Sequence, residues 1–196
     1  MFKTKKQNDC KKRTNRKNKI YFCTFTCFKW YNLFEITKLY DYIYNWFDLI
    51  NQKYENQILG YVIMPNHIHF LIFINEKSPN LNLLIGNCKR FLAYEIVKRL
   101  TEQKNLKMLS ELENAVSNKE KLKGKKHQVF ETSFDSKICF TNDFILQKLN
   151  YMHQNPMQTK WDLVEDTIEY LHSSAKFYET GEHSIYCVKN YLEAGN

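Results

Sequence analysis

Pro65-Asn66-His67-Ile68-His69-Phe70-Leu71-Ile72-Phe73-Ile74 reads as a turn that opens into a strand. Pro and Asn favour turn geometry, and the β-branched and aromatic run behind them fits a pleated surface. Side chains alternate faces along a strand, so residues two apart project together. His67 and His69 therefore sit side by side, with Leu71 and Phe73 continuing their face. Ile68, Phe70, Ile72 and Ile74 form the other face, which reads as core. Residues 58–64 supply the first strand of a hairpin about Pro65-Asn66. Two imidazoles on one strand face make half of a divalent metal site. A pair of this kind is more often packed or hydrogen-bonded, so on its own it does not decide a function.

Working outward, residues 20–27 are β-branched and aromatic and read as a strand. Residues 36–50 read as an aromatic-rich helix with Leu39, Ile43 and Phe47 among its core positions. Residues 81–100 form a long helix, with Leu84, Cys88, Phe91, Ile96 and Leu100 on or near one face. Residues 101–127 are rich in Lys and Glu, and Leu106, Leu109 and Leu112 give them weak helical spacing, so they read as a surface insertion. A short strand near residues 128–130 completes the order β-α-β-β-α-β. The expected fold class is α+β: a ferredoxin-like antiparallel sheet with helices on one face, followed by a further helix.

That further helix lies in Phe144-Ile145-Leu146-Gln147-Lys148-Leu149-Asn150-Tyr151-Met152-His153-Gln154-Asn155-Pro156. Thr141, Asn142 or Asp143 can cap its start. Ile145, Leu149 and Met152 recur at helical spacing and form its buried stripe. Pro156 disfavours helical geometry at Asn155 and ends the element. Tyr151 and Asn155 are four apart and share a face that differs from the stripe. By themselves they read as a surface tyrosine and a helix-stop asparagine.

Together the two segments resemble the HUH single-tyrosine transposases, and most of all the REP-associated tyrosine transposases and their insertion-sequence relatives. The resemblance rests on Tyr61-Val62-Ile63-Met64-Pro65-Asn66-His67-Ile68-His69 and on Leu149-Asn150-Tyr151-Met152-His153-Gln154-Asn155-Pro156. Trp161, the run Glu169-Tyr170-Leu171-His172-Ser173-Ser174-Ala175 and Phe177-Tyr178-Glu179 extend it. It implies that His67, His69 and Asn155 bind a divalent ion, Mg²⁺ or Mn²⁺, and that Tyr151 is the nucleophile. It implies cleavage and rejoining of single-stranded or hairpin DNA through a 5′-phosphotyrosine link. A tyrosine hydroxyl, with a pKa of about 10, is a weak nucleophile unless assisted, and a divalent ion can polarise and position the scissile phosphate. The segment Gln128-Val129-Phe130-Glu131-Thr132-Ser133-Phe134-Asp135 departs from the family, whose members often carry a Trp there, and leaves the limits of the fourth strand open. Two other classes compete: a domesticated hairpin-DNA-binding protein without transposition, and a metal-dependent hydrolase that uses water.

The chain of 196 residues is long enough for one well-packed domain with extensions. Its first nineteen residues hold nine basic side chains and one acid, a net of +8 that equals the formal charge of the whole chain. Residues 20–196 therefore sum to zero. Residues 1–19 read as a flexible basic arm able to neutralise phosphates without reading sequence. Lys11, Lys12, Arg13, Arg16 and Lys17 are its candidate DNA contacts, with Lys89 and Arg90 on the long helix as weaker ones. Residues 20–180 read as a single catalytic domain and 181–196 as a C-terminal tail. No run approaches the ~18 apolar residues that span a membrane. The six cysteines include no CxxC and read as reduced. Cys23, Cys27, His183 and Cys187 offer an alternative zinc set. The expected setting is cytoplasmic, associated with the nucleoid when acting on DNA, as a monomer or homodimer. His172, Ser173 and Ser174 superficially suggest a hydrolase but lack a nucleophile-elbow glycine pattern.

Overall fold

The computed structural model describes residues 16–196. Four strands, β1 (Lys19–Thr26), β2 (Gln57–Ile63), β3 (His67–Ile74) and β4 (Asp135–Cys139), form one sheet in the order β2-β3-β1-β4, with every neighbouring pair antiparallel. Among the described residues there are seven α-helices: α1 (Leu33–Thr37), α2 (Tyr40–Tyr54), α3 (Leu81–Glu102), α4 (Leu106–Asn114), α5 (Asn118–Lys121), α6 (Asn142–His153) and α7 (Ala175–Thr180). The fold is thus α+β. No helix of the described residues is long and apolar enough to cross a membrane.

The sheet is buried on both faces, and each face has its own helices. Tyr21, Cys23 and Phe25 of β1 and Ile68, Phe70, Ile72 and Ile74 of β3 meet α1, α2 and α3 through Phe34, Ile43, Phe47, Leu84, Cys88 and Ile96. The opposite face carries Phe22, Val62, Leu71 and Phe73, and α6 covers it with Ile145, Leu149 and Met152. Burying each of those three side chains stabilises the packing by roughly 1.5–3 kcal/mol. Every residue of β3 is buried, histidines included.

Gly60 sets how closely α6 approaches. The β2–β3 register shifts between Ile58 and Gly60, and Gly60 then faces α6. A Cβ built there would lie 2.6 Å from Met152 Cε and 2.7 Å from Leu149 Cδ2. Real Cβ atoms essentially never show such contacts, so a side chain there would displace the ends of Met152 and Leu149, and its absence lets both pack down on the strand.

Beyond α6 the chain returns along β2. Ile63 donates its N–H to His172 O at 2.8 Å, Ser174 N–H reaches Tyr61 O at 3.0 Å, and Val62 bridges Ser173. His153 Nε2 lies 2.9 Å from Ser174 Oγ and so ties the end of α6 to this segment. His172 is stacked on Tyr40 at 3.6 Å and sits 2.9 Å from Tyr44 Oη. His172, Ser173 and Ser174 thus brace the β2 edge of the sheet. Residues 186–189 follow the same edge, with Val188 buried and Lys189 N–H donating to Ile58 O at 3.1 Å.

Several expectations need correction. The fourth strand is Asp135–Cys139 and not residues 128–130. Val129 and Phe130 are buried, but they cross the end of β1, where Phe130 makes only an isolated bridge to Cys27. Their apolar character signalled core, while Asp-Ser-Lys-Ile-Cys has weak strand chemistry and forms a half-exposed edge. The helix expected over 36–50 is two helices, separated where Lys38 adopts a left-handed φ of 50° and ends α1. Phe91 points outward at 53% exposure, away from the buried stripe of α3. The 101–127 insertion is partly embedded, since Leu112 is fully buried and Met108 and Leu109 pack on the core. No three His, Cys, Asp or Glu side chains among the described residues converge as a metal requires, so the Cys23, Cys27, His183 and Cys187 set is not assembled.

Gly60→Ala should destabilise the fold by about 1–3 kcal/mol through overpacking. Urea unfolding measures this. The cost should shrink in a Met152→Ala background, because the nearest colliding atom is gone; additive costs would mean that Gly60 does not set this contact.

Candidate active site

The histidine pair is oriented by short polar neighbours. Thr24 lies directly opposite His69 in the β1–β3 register, and its Oγ1 is 2.6 Å from His69 Nδ1. Asn66, the second turn residue, presents Oδ1 to His67 Nδ1 at 2.7 Å. The amide cannot be turned round, because Asn66 Nδ2 donates to Trp30 O at 2.8 Å and to Asn32 Oδ1 at 3.1 Å. An amide oxygen only accepts, so His67 Nδ1 carries the proton and, in the neutral ring, Nε2 keeps its lone pair. The two imidazoles stand 4.8 Å apart, nearly perpendicular at 85°.

Both rings are almost fully buried, at 3% and 5% exposure. Burial pushes the pKa of His67 down to about 4, with help from the Lys160 ammonium. Burial likewise pushes His69 down to about 3, assisted by His67, Lys160 and Lys148. Both are therefore neutral near pH 7, the form that can ligate a cation.

Tyr151 reaches the pair from the helix above. Thr141 caps α6, its Oγ1 accepting from Phe144 N–H at 3.2 Å. With Ile145, Leu149 and Met152 turned to the sheet, Tyr151 stands at the rim, 47% exposed. Its ring lies 5.4 Å from that of His69 and 6.2 Å from that of Phe22, which itself stacks on His69 at 5.6 Å and 14°. Lys148, three residues earlier on the same helix, holds its ammonium 5.6 Å from the Tyr151 ring centre. A cation there attracts an incoming phosphate.

Asn155 follows α6 in a short 3₁₀ turn, Asn155–Met157, and is 2% exposed. Its Nδ2 donates to Tyr151 O at 2.9 Å, which leaves Oδ1 free to accept or to ligate. His67, His69 and Tyr151 are thus brought together by ring contacts, and Asn155 is linked to the backbone of Tyr151. Two imidazoles whose Nδ1 atoms are occupied and whose Nε2 atoms remain, with one amide oxygen, suit a divalent cation that must also accept phosphate oxygens and water.

The basic residues lie elsewhere. Lys89 Nζ donates to the carbonyls of Glu131, Thr132 and Ser133 at 2.6, 3.4 and 3.2 Å. Arg90 lies over the ring of Phe91, on the helix layer behind the sheet. Lys17 Nζ donates to the carbonyls of Ser78 and Pro79, and Arg16 exchanges backbone hydrogen bonds with Tyr21 Oη. Lys11, Lys12 and Arg13 fall outside the described residues. Sequence reasoning missed Lys148, although its spacing from Tyr151 was a readable signal. It also missed Thr24 and the orienting role of Asn66, which depend on strand register and amide direction.

Among solved structures, this chain is similar to a REP-associated tyrosine transposase bound to a REP hairpin. The TM-score is 0.55 at 15% identity, over 94% of each chain, a likeness of fold. A candidate transposase from Deinococcus radiodurans R1 aligns with 69% of this chain and 88% of its own at 10% identity and a TM-score of 0.35. No family model matches the chain, and no curated protein does.

Long-range ¹H–¹⁵N spectra of the metal-free protein at neutral pH should show His67 as the Nδ1–H tautomer. Asn66→Ala should let the Nε2–H form appear. A predominantly Nε2–H His67 in the unaltered protein would contradict the hydrogen-bond assignment.

Proposed function

We propose that this chain is an HUH single-tyrosine transposase of the REP-associated kind, a divalent-metal-dependent enzyme that cleaves and rejoins single-stranded DNA at hairpin-flanked sites. The observation that carries this reading is the seating of Tyr151 against the histidine pair of its own chain, ring to ring at 5.4 Å from His69. The strand order β2-β3-β1-β4 supports the ferredoxin-like reading of the sheet, and the hairpin-bound transposase of like fold supports the substrate class.

His67 Nε2, His69 Nε2 and Asn155 Oδ1 would hold the cation. A bound Mg²⁺ or Mn²⁺ supplies Lewis-acid polarisation of the scissile phosphoryl group. Tyr151 Oη attacks phosphorus, the Oη–P bond forms and the P–O3′ bond breaks. The phenol proton passes to solvent and the departing 3′ oxygen takes one up, which gives a 5′-phosphotyrosine and a free 3′-hydroxyl. Lys148 stabilises negative charge at the phosphate during this exchange. Because the phosphodiester energy is kept in the tyrosine ester, attack by a 3′-hydroxyl reverses the step without ATP. Of the basic arm read over residues 1–19, Lys19 opens β1 and Arg16 and Lys17 are hydrogen-bonded to the fold, so sequence-independent contacts to phosphate fall to the basic residues before Arg16. His67, His69 and Tyr151 lie on the 20–180 catalytic domain, and residues 181–196, which read as a tail in the sequence, pack against its β2 edge through Tyr186 and Val188. The enzyme works in the cytoplasm, at the nucleoid.

Incubation with hairpin-flanked single-stranded DNA and Mn²⁺ should yield a covalent protein–DNA adduct that maps to Tyr151. Tyr151→Phe should abolish the adduct while changing stability by no more than about 0.5 kcal/mol, since the ring stays at the exposed rim. His67→Ala should retain DNA binding and lose metal-dependent cleavage. An adduct that persists in Tyr151→Phe would overturn the assignment.

A further inference from the structure

Beside His67 the structure leaves an arrangement that the chemistry above does not use. Trp30 and Trp161 flank the imidazole, with ring centres 5.4 and 5.5 Å from it. Lys160 lies against both indoles, its ammonium 6.0 Å from the ring of Trp30 and 5.5 Å from that of Trp161. Trp30 is 55% exposed, although it borders the buried His67.

The backbone under Trp30 is strained. Lys29 and Trp30 have φ of 50° and 59°, two successive non-glycine residues in left-handed geometry. Such residues persist only where their surroundings over-determine them, and they cluster at functional sites. Here the surroundings are specific. Lys29 N–H donates to Glu131 Oε1 at 2.9 Å and Trp30 N–H to Cys27 O at 3.1 Å. Asn66 Nδ2 grips Trp30 O at 2.8 Å. The amide that orients His67 thus also places Trp30, and the two rings are held as one unit.

Trp161 adds a second signal. Its Nε1 is buried and, alone among buried side-chain nitrogen and oxygen atoms of the described residues, has no hydrogen-bond partner. A buried donor of this kind is normally satisfied, and one left over beside a candidate active site is available to a ligand acceptor.

Resting on the function proposed above, we propose that Trp30, Trp161 and Lys160 form a clamp for an unstacked nucleobase adjoining the phosphate at His67. Trp30 offers the stacking face, Lys160 the charge for the neighbouring phosphate, and Trp161 Nε1 a donor for a base or phosphate oxygen. Stacking of this kind accepts any base, so the clamp would hold the strand at the cut without reading its sequence. A single exposed indole beside a lysine suits a nucleotide better than a broad apolar protein partner, which would require a contiguous apolar patch.

The test uses single-stranded DNA with 2-aminopurine scanned across the cut site, in the uncleaving Tyr151→Phe background. The base next to the scissile phosphate should be quenched on binding. Trp30→Ala should remove that quench and weaken binding roughly tenfold, Trp30→Phe should restore most of both, and duplex DNA should bind equally to all. Lys160→Ala, which leaves the strained turn intact, should weaken binding and lessen its salt dependence. Wild-type protein that binds no single-stranded DNA would overturn the clamp together with the function on which it rests. Binding and adduct formation that are normal, with quench and affinity unmoved by Trp30→Ala, would overturn the clamp alone. So would a change of oligomeric state as the only effect of Trp30→Ala, which would make the indole a contact between copies of the chain.

Discussion

The close packing of α6 on the sheet is the contact on which the site depends. The helix lies on the same face of the sheet as His67 and His69, and its approach is set where Gly60 meets Met152 and Leu149. A side chain at Gly60 would force the ends of Met152 and Leu149 to repack beneath α6, the helix that carries Tyr151. The apolar stripe that buries the helix and the tyrosine at its rim are two faces of one element, so packing energy is converted directly into placement of the reactive oxygen. His153 reinforces this at the end of the helix, where Ser174 joins it to the strand edge.

Around that contact, neutral polar groups do the fine positioning. Thr24 and Asn66 take the Nδ1 atoms of the pair, and burial keeps both rings uncharged near pH 7. The positive charge comes from Lys148 and Lys160, each of which also touches an aromatic ring of the site. Among the described residues no carboxylate joins the histidine pair. A neutral donor set leaves a bound cation's charge uncompensated, which suits a polyanionic substrate better than a neutral one. Asn66 links several parts of the site, since one amide orients His67, fixes the carbonyl of Trp30 and contacts Asn32.

Much of this was legible in the residues. Strand alternation put His67 and His69 on one face, and the Pro65-Asn66 turn and the Ile145, Leu149, Met152 stripe are where periodicity placed them. What could not be read was anything set by contacts between distant segments. Val129 and Phe130 looked like a strand because they are apolar and buried, whereas the true fourth strand is a polar edge with few strand-forming residues. The two-residue spacing of the histidines was readable; the atoms that orient them were not, because Thr24 lies across a strand pair and the direction of the Asn66 amide depends on Trp30 and Asn32. The tail after residue 181 has no periodic signal, yet Tyr186 packs on Phe47 and Tyr44 and Val188 is buried.

In the proposed mechanism a single chain assembles the whole site, with the tyrosine acting on the histidine pair of its own sheet. Mixing two inactive proteins, one Tyr151→Phe and one His67→Ala, measures this directly. Adduct formation on hairpin-flanked single-stranded DNA should be present with the unaltered chain and absent from the mixture, because neither protein holds both parts. Adduct recovered in the mixture, on the tyrosine of the His67→Ala chain, would show that the nucleophile works on a partner's histidines and would contradict the account.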